Sequence, residues 1–121
     1  MLNLDTHIFI HALNDSLTKK ELKCLSNDNW SISAIVLWEL HKLRQLKKIE
    51  LDIEDPEFTI ILSKIHVWEL NVTVFRAFRL LDFRNDPADE IIAATSLAYN
   101  VPLVTRDQKI LKSKVVPFAI L

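Results

Sequence analysis

The chain contains no glycine among its 121 residues. Phosphate-binding loops of the Walker type, dinucleotide-binding fingerprints and the serine nucleophile elbow all need glycine, because their backbone turns sharply or approaches a ligand closely. These three kinds of site are therefore excluded. Any chemistry must come from side chains, and most of the candidates are carboxylates.

Cysteine is almost absent as well, since Cys24 is the only one. A single cysteine excludes an internal disulfide framework and cysteine-based zinc clusters, and it fits a reducing cytoplasm. Long apolar runs are also missing, because the longest is AIVLW at residues 34–38. The amino terminus has no basic segment before Asp5, so we expect neither a signal peptide nor a membrane span.

Positive and negative charges nearly balance each other, with 15 basic and 16 acidic residues and a formal net charge of -1. No overall field therefore attracts nucleic acid, and any site for a polyanion must be a local patch. Hydrophobic residues make up 50% of the chain, which is enough for one core. We expect a single domain over residues 1–121.

Short apolar strands alternate with amphipathic helices along the chain. The helices include one from Val36 to about Ile49 and one that begins at a Thr73 cap. Strands are predicted at residues 2–4, 30–33, 67–72, 101–105 and, at an edge, 115–118. This alternation indicates an α/β fold with a mostly parallel central sheet and helices on both faces.

Three aspartates are placed by this pattern near one edge of the predicted sheet. Asp5 follows the first strand, Asp107 follows the strand near the carboxyl terminus, and Asp89 lies in the first turn of its helix. Ligands of such sheets bind in the crevice beyond the carboxyl ends of the strands. Helix capping is the alternative explanation, because first-turn acids stabilise any helix. Asp86 before Pro87 has the pattern of an N-cap followed by proline.

Glu39 is harder to explain by capping, because it lies beyond the first turn of its predicted helix. Its spacing from Val36 and Leu43 places it on the inward-facing edge, where an unpaired charge is costly. One interpretation is a salt bridge to Arg84 or Arg106. The other is a metal ion shared with the three aspartates.

Four carboxylates on one edge would repel one another unless a cation supplied positive charge. Magnesium and manganese ions prefer oxygen ligands and bind through a few carboxylates together with a substrate phosphate. Such ions lower the pKa of an attacking water and stabilise the departing oxygen of an in-line displacement. The carboxylate set therefore favours phosphodiester chemistry.

Four segments of the chain carry a resemblance to a known family: LDTH at 4–7, WE at 38–39, DPADEIIAAT at 86–95 and TRD at 105–107. In this order and spacing, over nearly the whole chain, they resemble the PIN domain family, and most of all the VapC toxins of prokaryotic toxin–antitoxin pairs. The resemblance implies an α/β/α sandwich with a mostly parallel central sheet. It also implies a Mg²⁺- or Mn²⁺-dependent endoribonuclease.

The resemblance extends to individual residues and to partners. Thr105 would help to order the site, and Asp86 would be a supporting acid or a helix cap. The implied partners are an RNA substrate, a cognate antitoxin whose segment crosses the active-site groove, and a second copy of the chain in a homodimer. The implied catalytic, metal-binding acids are Asp5, Glu39, Asp89 and Asp107.

Two positions depart from the family's pattern. Glu90 stands where arginine is frequent, and QLKK at 45–48 stands where a glycine is frequent near the helix end. Neither position is a metal ligand, so the departures concern substrate contacts and the geometry of that turn. Arg84 and Arg106 are the candidates for contacts with RNA phosphates, because each lies near a proposed ligand in the sequence.

Other function classes remain open at this point. The same fold could serve as a non-catalytic RNA- or protein-binding module, with the acids acting only as caps. An aspartate-nucleophile phosphotransferase also begins with a strand ending in LDT, but it needs a second aspartate where this chain has His7. His7 and His11 have the i, i+4 spacing of a transition-metal pair, although no third ligand is evident in the sequence.

Overall fold

A computed structural model describes residues 1–121. Its four strands are β1 (Leu2–Leu4), β2 (Trp30–Ser33), β3 (His66–Trp68) and β4 (Leu103–Val104). Its seven helices are α1 (Thr6–Leu13), α2 (Lys19–Ser26), α3 (Ala34–Gln45), α4 (Pro56–Leu62), α5 (Val72–Phe78), α6 (Pro87–Tyr99) and α7 (Gln108–Leu111). The strands form one sheet in the order β3-β2-β1-β4, and every pair is parallel. This confirms an α/β fold in which helices flank a parallel sheet.

Strand β1 occupies the position in the sheet that matters most for function. It pairs with β2 on one side and with β4 on the other, so that Asn3 lies opposite both Ser31 and Leu103. The strand order therefore reverses between β1 and β4. In open parallel sheets the ligand crevice lies beyond the carboxyl ends of the strands at such a reversal. At this edge β1 leads directly into Asp5, and β4 leads directly into Thr105.

The hydrophobic core surrounds the short central strands. Leu4, Ile32 and Leu103 are almost completely buried, as expected for strands of a parallel sheet that is covered on both faces. The rings of Phe9 and Phe58 meet edge to face with centroids 6.3 Å apart, which packs α1 against α4. None of the helices combines the length and the apolar character that crossing a membrane requires.

A buried asparagine fixes α6 against the central strand. The Asn3 side-chain amide donates to the Ile92 carbonyl at 3.2 Å and to the Ser96 hydroxyl at 2.9 Å. The Asn3 side-chain oxygen is buried and has no hydrogen-bond partner. Because Asp89 lies near the start of α6 and Asp5 follows β1, this contact helps to set the distance between the two acids.

Helix α3 ends four residues before the predicted end at Ile49. Lys47, just past its end, has a φ of 58°, in the left-handed region that usually favours glycine. The helix stops there because this backbone conformation reverses the chain, although the side chain at that position makes it costlier by roughly 1–2 kcal/mol. The left-handed position after α3 is therefore occupied by lysine and not by glycine.

Three predicted strand boundaries are wrong. The predicted strand 67–72 ends at Trp68, because Asn71 accepts the Val74 N–H at 3.0 Å and caps α5 in place of Thr73. The predicted strand 101–105 shortens to the two residues of β4. The segment 115–118 forms only an isolated parallel bridge from Phe118 to Leu103.

The tether between Asn3 and α6 gives the first prediction. In the variant Asn3→Ala, the Ser96 hydroxyl loses a buried partner and a small cavity opens. We expect the free energy of unfolding to fall by about 2 kcal/mol. Urea denaturation measures the change, with Asn29→Ala, at an exposed position, as the control that should change it by less than about 0.5 kcal/mol. Equal stability of the two variants would show that the tether is not a stabilising contact.

Candidate active site

Asp5 is the most deeply buried acid at the carboxyl edge of the sheet, with 5% of its surface exposed. One carboxylate oxygen accepts the Ile8 N–H at 2.8 Å and caps α1, and the other accepts the Thr105 hydroxyl. Burial raises the pKa of Asp5 above its ordinary value, and these hydrogen bonds only partly oppose that effect. Asp5 is thus held in one orientation in a site that disfavours its charge.

Asp107 is held by hydrogen bonds to α7, to Asn85 and to Thr105. Its Oδ1 caps α7 by accepting the N–H groups of Lys109 at 2.8 Å and Ile110 at 3.2 Å. Its Oδ2 accepts the Asn85 amide at 3.3 Å. Its own N–H donates to the Thr105 hydroxyl at 3.1 Å. The hydroxyl of Thr105 therefore connects both aspartates.

Asp89 lies in the first turn of α6 and feels the charges of the other acids. Burial, followed by the charges of four neighbouring carboxylates, raises its pKa to about 6. Those neighbours, in order of decreasing influence, are Glu39, Asp107, Asp86 and Asp5. Four carboxylates thus lie within electrostatic reach of Asp89, which is unfavourable without a nearby cation.

An open pocket of about 450 Å³ lies between these elements, and no hydrophobic residue lines it. The structure brings together here four of the acids that the sequence singled out, together with one of the two arginines. The lining residues are Asp5, His7, His11, Asn85, Asp86, Asp89, Arg106 and Asp107. We call this space the acidic pocket.

Glu39 lies beside the acidic pocket and is not one of its lining residues. The Thr6 hydroxyl donates to Glu39 Oε1. Glu39 forms no salt bridge, so the alternative interpretation of an ion pair with Arg84 or Arg106 is wrong. A hydroxyl on the first residue of α1 satisfies the carboxylate instead, and it leaves the negative charge of Glu39 uncompensated.

Asp86 occupies the N-cap position of α6, but its carboxylate caps no backbone N–H. Of the two roles expected for Asp86, supporting acid or helix cap, the side-chain cap is therefore wrong. Pro87, the first helical residue, has no N–H to offer, and the Asp86 carboxylate lines the acidic pocket. Only the backbone carbonyl of Asp86 serves the helix, by accepting the Glu90 N–H at 3.1 Å.

The two arginines proposed for RNA contacts lie in different places. Arg84 is exposed and lines a separate surface pocket that it shares with Phe83 and Glu90. Arg106 lines the acidic pocket, but its guanidinium forms two hydrogen bonds with the carboxylate of Glu21. The two side chains therefore do not form one basic patch.

Sequence reasoning missed three of the polar partners at this site. Thr6, Asn85 and Glu21 bind Glu39, Asp107 and Arg106 respectively. Thr6 and Asn85 are each adjacent in sequence to a candidate acid, which was a usable signal. Glu21 lies 85 positions from its partner and has no such signal.

The donor set of the acidic pocket suits a hard, hydrated cation. No three His, Cys, Asp or Glu side chains of the chain are spaced so as to enclose one metal ion. Mg²⁺ keeps several waters and usually needs only one or two carboxylates, so it does not require a closed cage. The acids of the pocket offer only oxygen ligands, and they repel one another without a cation. Both properties fit Mg²⁺. The pair His7 and His11 gains no third ligand among the His, Cys, Asp and Glu side chains.

The structure defines a parallel α/β protein with acids gathered beyond its central strands, and the comparison with protein families identifies the family. Residues 3–115 match the PIN domain family. The chain therefore belongs to the PIN domain family, which confirms the resemblance noted in the sequence. Proteins of this family are generally nucleases. Among proteins with curated descriptions, none matches the chain significantly.

Solved structures share the fold over nearly the whole chain. The VapBC2 structure from Rickettsia felis, bound to a DNA fragment from its promoter, has 23% identity, a TM-score of 0.73 and coverage of 98% of both chains. A toxin–antitoxin complex from Klebsiella pneumoniae has 19% identity and a TM-score of 0.70, covering 99% of this chain and 100% of the other. FitAcB from Neisseria gonorrhoeae has 19% identity and a TM-score of 0.68, covering 98% of this chain and 97% of the other.

The repulsion at Asp89 gives the second prediction. Because its pKa is raised to about 6 in the folded chain, Asp89 contributes stability below its ordinary pKa of 3.8, and that contribution is lost as the pH rises through about 6. In the presence of chelator, Asp89→Asn should therefore be more stable than the wild type near pH 8. We expect a gain on the order of 1 kcal/mol, or a few degrees in Tm.

Thermal unfolding from about pH 4 to pH 8 measures this difference, which should disappear at the acidic end. Glu90→Gln, one residue further along the same helical turn, is the matched control and should give no comparable gain. A destabilised Asp89→Asn variant near pH 8 would contradict the electrostatic description of the pocket.

Proposed function

We propose that the chain is a Mg²⁺- or Mn²⁺-dependent endoribonuclease and the toxin of a VapBC-type toxin–antitoxin pair. The observation that carries this proposal is the meeting of Asp5, Asp89 and Asp107 in one pocket beyond the carboxyl ends of β1 and β4. Capping alone does not explain the meeting, because a cap has no reason to lie beside four other acids. PIN nucleases typically use divalent metal ions, which agrees with this reading.

The residues proposed to hold the ion are Asp5, Glu39, Asp89 and Asp107, with Asp86 as a further acid of the pocket. When bound, Mg²⁺ or Mn²⁺ supplies positive charge at a phosphate and lowers the pKa of an attacking water. The contribution of the protein is to fix the carboxylates before substrate arrives. Fixed ligands reduce the reorganisation that binding would otherwise require.

Thr105 is the proposed ordering residue of the site. Its hydroxyl donates to Asp5 and accepts the Asp107 N–H, so one side chain fixes the relative position of two acids. Thr105 is 4% exposed and does not line the pocket, which suits a supporting role and not direct contact with RNA.

Contacts with the RNA backbone are proposed for Arg84 and Arg106. Arg84 is exposed beside Glu90, near the start of the helix that carries Asp89. Arg106 has most of its donors engaged by Glu21, Ser16 and His11, and its side chain is 39% exposed. We therefore rank Arg84 above Arg106 as a phosphate contact. Binding through such contacts weakens steeply as salt rises.

Two protein partners belong to the proposal. The similar VapBC2 and Klebsiella pneumoniae structures are toxin–antitoxin assemblies, so we infer a cognate antitoxin for this chain. We also infer a homodimer. Helix α5 and the turn after it leave large apolar side chains exposed at Val72, Phe75 and Leu80, and such exposed apolar surface is typical of an interaction site.

A non-catalytic RNA- or protein-binding module is the second candidate function. The observation in its favour is that no three carboxylates are spaced to enclose an ion. In that case the acids would contribute only caps and local polarity. The charge repulsion at Asp89 weighs against this candidate, because a binding module gains nothing from it.

The third prediction tests the enzymatic proposal directly. Purified protein is incubated with total RNA and Mn²⁺ at low salt, and new 5′ ends are mapped by sequencing. We expect discrete ends with the wild type and none after addition of chelator. Asp89→Asn and Asp107→Asn should lower the cleavage rate by at least about a hundredfold, because each removes a proposed ligand charge.

Asparagine at position 107 can still cap α7, so loss of activity in Asp107→Asn would not reflect loss of the helix. Glu90→Gln is the control for a charge change in the first turn of α6 and should retain cleavage. Cuts that persist in both asparagine variants would refute the proposed site. RNA that is bound but never cut by the wild type would favour the binding module.

A further inference from the structure

Glu21, whose carboxylate lies outside the acidic pocket, binds the guanidinium of Arg106, which lines the pocket. Arg106 Nε donates to Glu21 Oε2 at 2.8 Å, and Arg106 Nη2 donates to Glu21 Oε1 at 2.6 Å. The Glu21 side chain is only 5% exposed, whereas that of Arg106 is 39% exposed. A buried carboxylate facing a planar guanidinium through two bonds is a strong, directional pair.

Other contacts hold the pair to α1 and α2. Glu21 Oε1 accepts the Thr18 N–H at 2.9 Å in the capping box of α2, so the carboxylate is fixed before it meets the arginine. Arg106 also donates to the Ser16 carbonyl at 3.4 Å, and its Nη1 lies 3.0 Å from His11 Nε2. The hydrogen bonds from Arg106 lower the pKa of Glu21 to about 2, which keeps it charged at neutral pH.

The carboxylates of the acidic pocket are competing partners for Arg106. Arg106 stands in the chain between Thr105 and Asp107, and it lines the acidic pocket together with Asp5. The hydrogen bonds to Glu21 are the main cause that raises the pKa of Arg106, and the charge of Asp5 adds a smaller contribution, so Asp5 also acts on the guanidinium. Without Glu21, the carboxylate of Asp5, whose charge already acts on Arg106, would be available to the guanidinium. An arginine among them would supply the positive charge that a divalent ion would otherwise bring.

We propose that Glu21 is a positioning residue that holds the Arg106 guanidinium against α2 and thereby keeps the acidic pocket free for a divalent cation. The proposal rests on the proposed function, because it assigns Glu21 an effect on the proposed metal site. Glu21 touches neither the pocket nor the proposed ligands. Glu21 acts by fixing the position of the Arg106 side chain.

The fourth prediction is tested by Mn²⁺ binding, measured by isothermal titration calorimetry near neutral pH. Glu21→Gln keeps an oxygen for the Thr18 N–H but removes the charge that attracts Arg106. We expect this variant to bind Mn²⁺ about tenfold more weakly than the wild type, a typical size for coupling between two sites. In the double variant Glu21→Gln with Arg106→Gln, the competing cation is gone, and the affinity should return at least to the wild-type level.

Recovery in the double variant separates charge competition from a merely structural role. If Glu21 only stabilised the fold, removing Arg106 as well would not restore binding. Glu54→Gln is the matched control, because it removes a charge from an exposed residue outside the pocket, and its Mn²⁺ affinity should equal that of the wild type. Wild-type affinity in Glu21→Gln, or a double variant as weak as the single one, would overturn the proposal.

A crystal structure of Glu21→Gln keeps this proposal distinct from the proposed function. We expect the Arg106 guanidinium to lie against Asp5 or Asp107, and a guanidinium that stays beside residue 21 would overturn the proposal. Mn²⁺ binding that is equally weak in the wild type and in Asp89→Asn would instead count against the metal site itself. The position of Arg106 would then still decide the role of Glu21.

Discussion

The hydroxyl of Thr105 is the contact on which the acidic pocket depends most. It joins Asp5, which lies 100 positions earlier in the chain, to the backbone of Asp107. This contact is possible because β1 and β4 are neighbouring parallel strands, so the segments that follow them leave the sheet at the same edge. Helix α6 is fixed to the same central strand through Asn3, which brings Asp89 to the other two acids.

The geometry of the pocket carries an electrostatic cost that its hydrogen bonds only partly offset. Asp5 and Asp107 each accept backbone N–H groups at a helix start, which stabilises their charged forms. Asp89 has no comparable support, and its raised pKa reflects both burial and the surrounding acids. Such an arrangement is typical of functional sites, where a group of like charges lowers the stability of the folded protein and a ligand of opposite charge compensates it.

Much of this site could be predicted from the sequence, because the edge of a parallel sheet collects whatever follows its strands. Asp5 follows β1 directly, Asp107 lies three residues after the end of β4, and α6 begins in the DPAD segment, so the fold class alone predicted that these acids would meet. The side-chain cap expected at Asp86 was wrong because that expectation relied on a local sequence pattern. A local pattern of aspartate and proline is typical of a cap, but it does not show which way the carboxylate turns.

Other features depend on packing that no local pattern records. Glu39 is satisfied by Thr6 and not by an arginine, and this depends on how α3 lies against α1. Arg106 looked like a free cation in the sequence, yet Glu21, 85 positions away, binds it. The end of α3 was predicted too late, because a left-handed Lys47 gives no sequence signal of the kind that glycine would give.

The central claim is that the acids beyond β1 and β4 bind a divalent cation. Anomalous diffraction at the manganese absorption edge, from crystals grown with Mn²⁺, tests this claim most directly. It should show a peak inside the acidic pocket, within ligand distance of at least one of Asp5, Asp89 and Asp107, about 2.0–2.2 Å from a carboxylate oxygen. Fully ordered crystals with no manganese in the pocket, or with manganese only elsewhere on the surface, would contradict the claim.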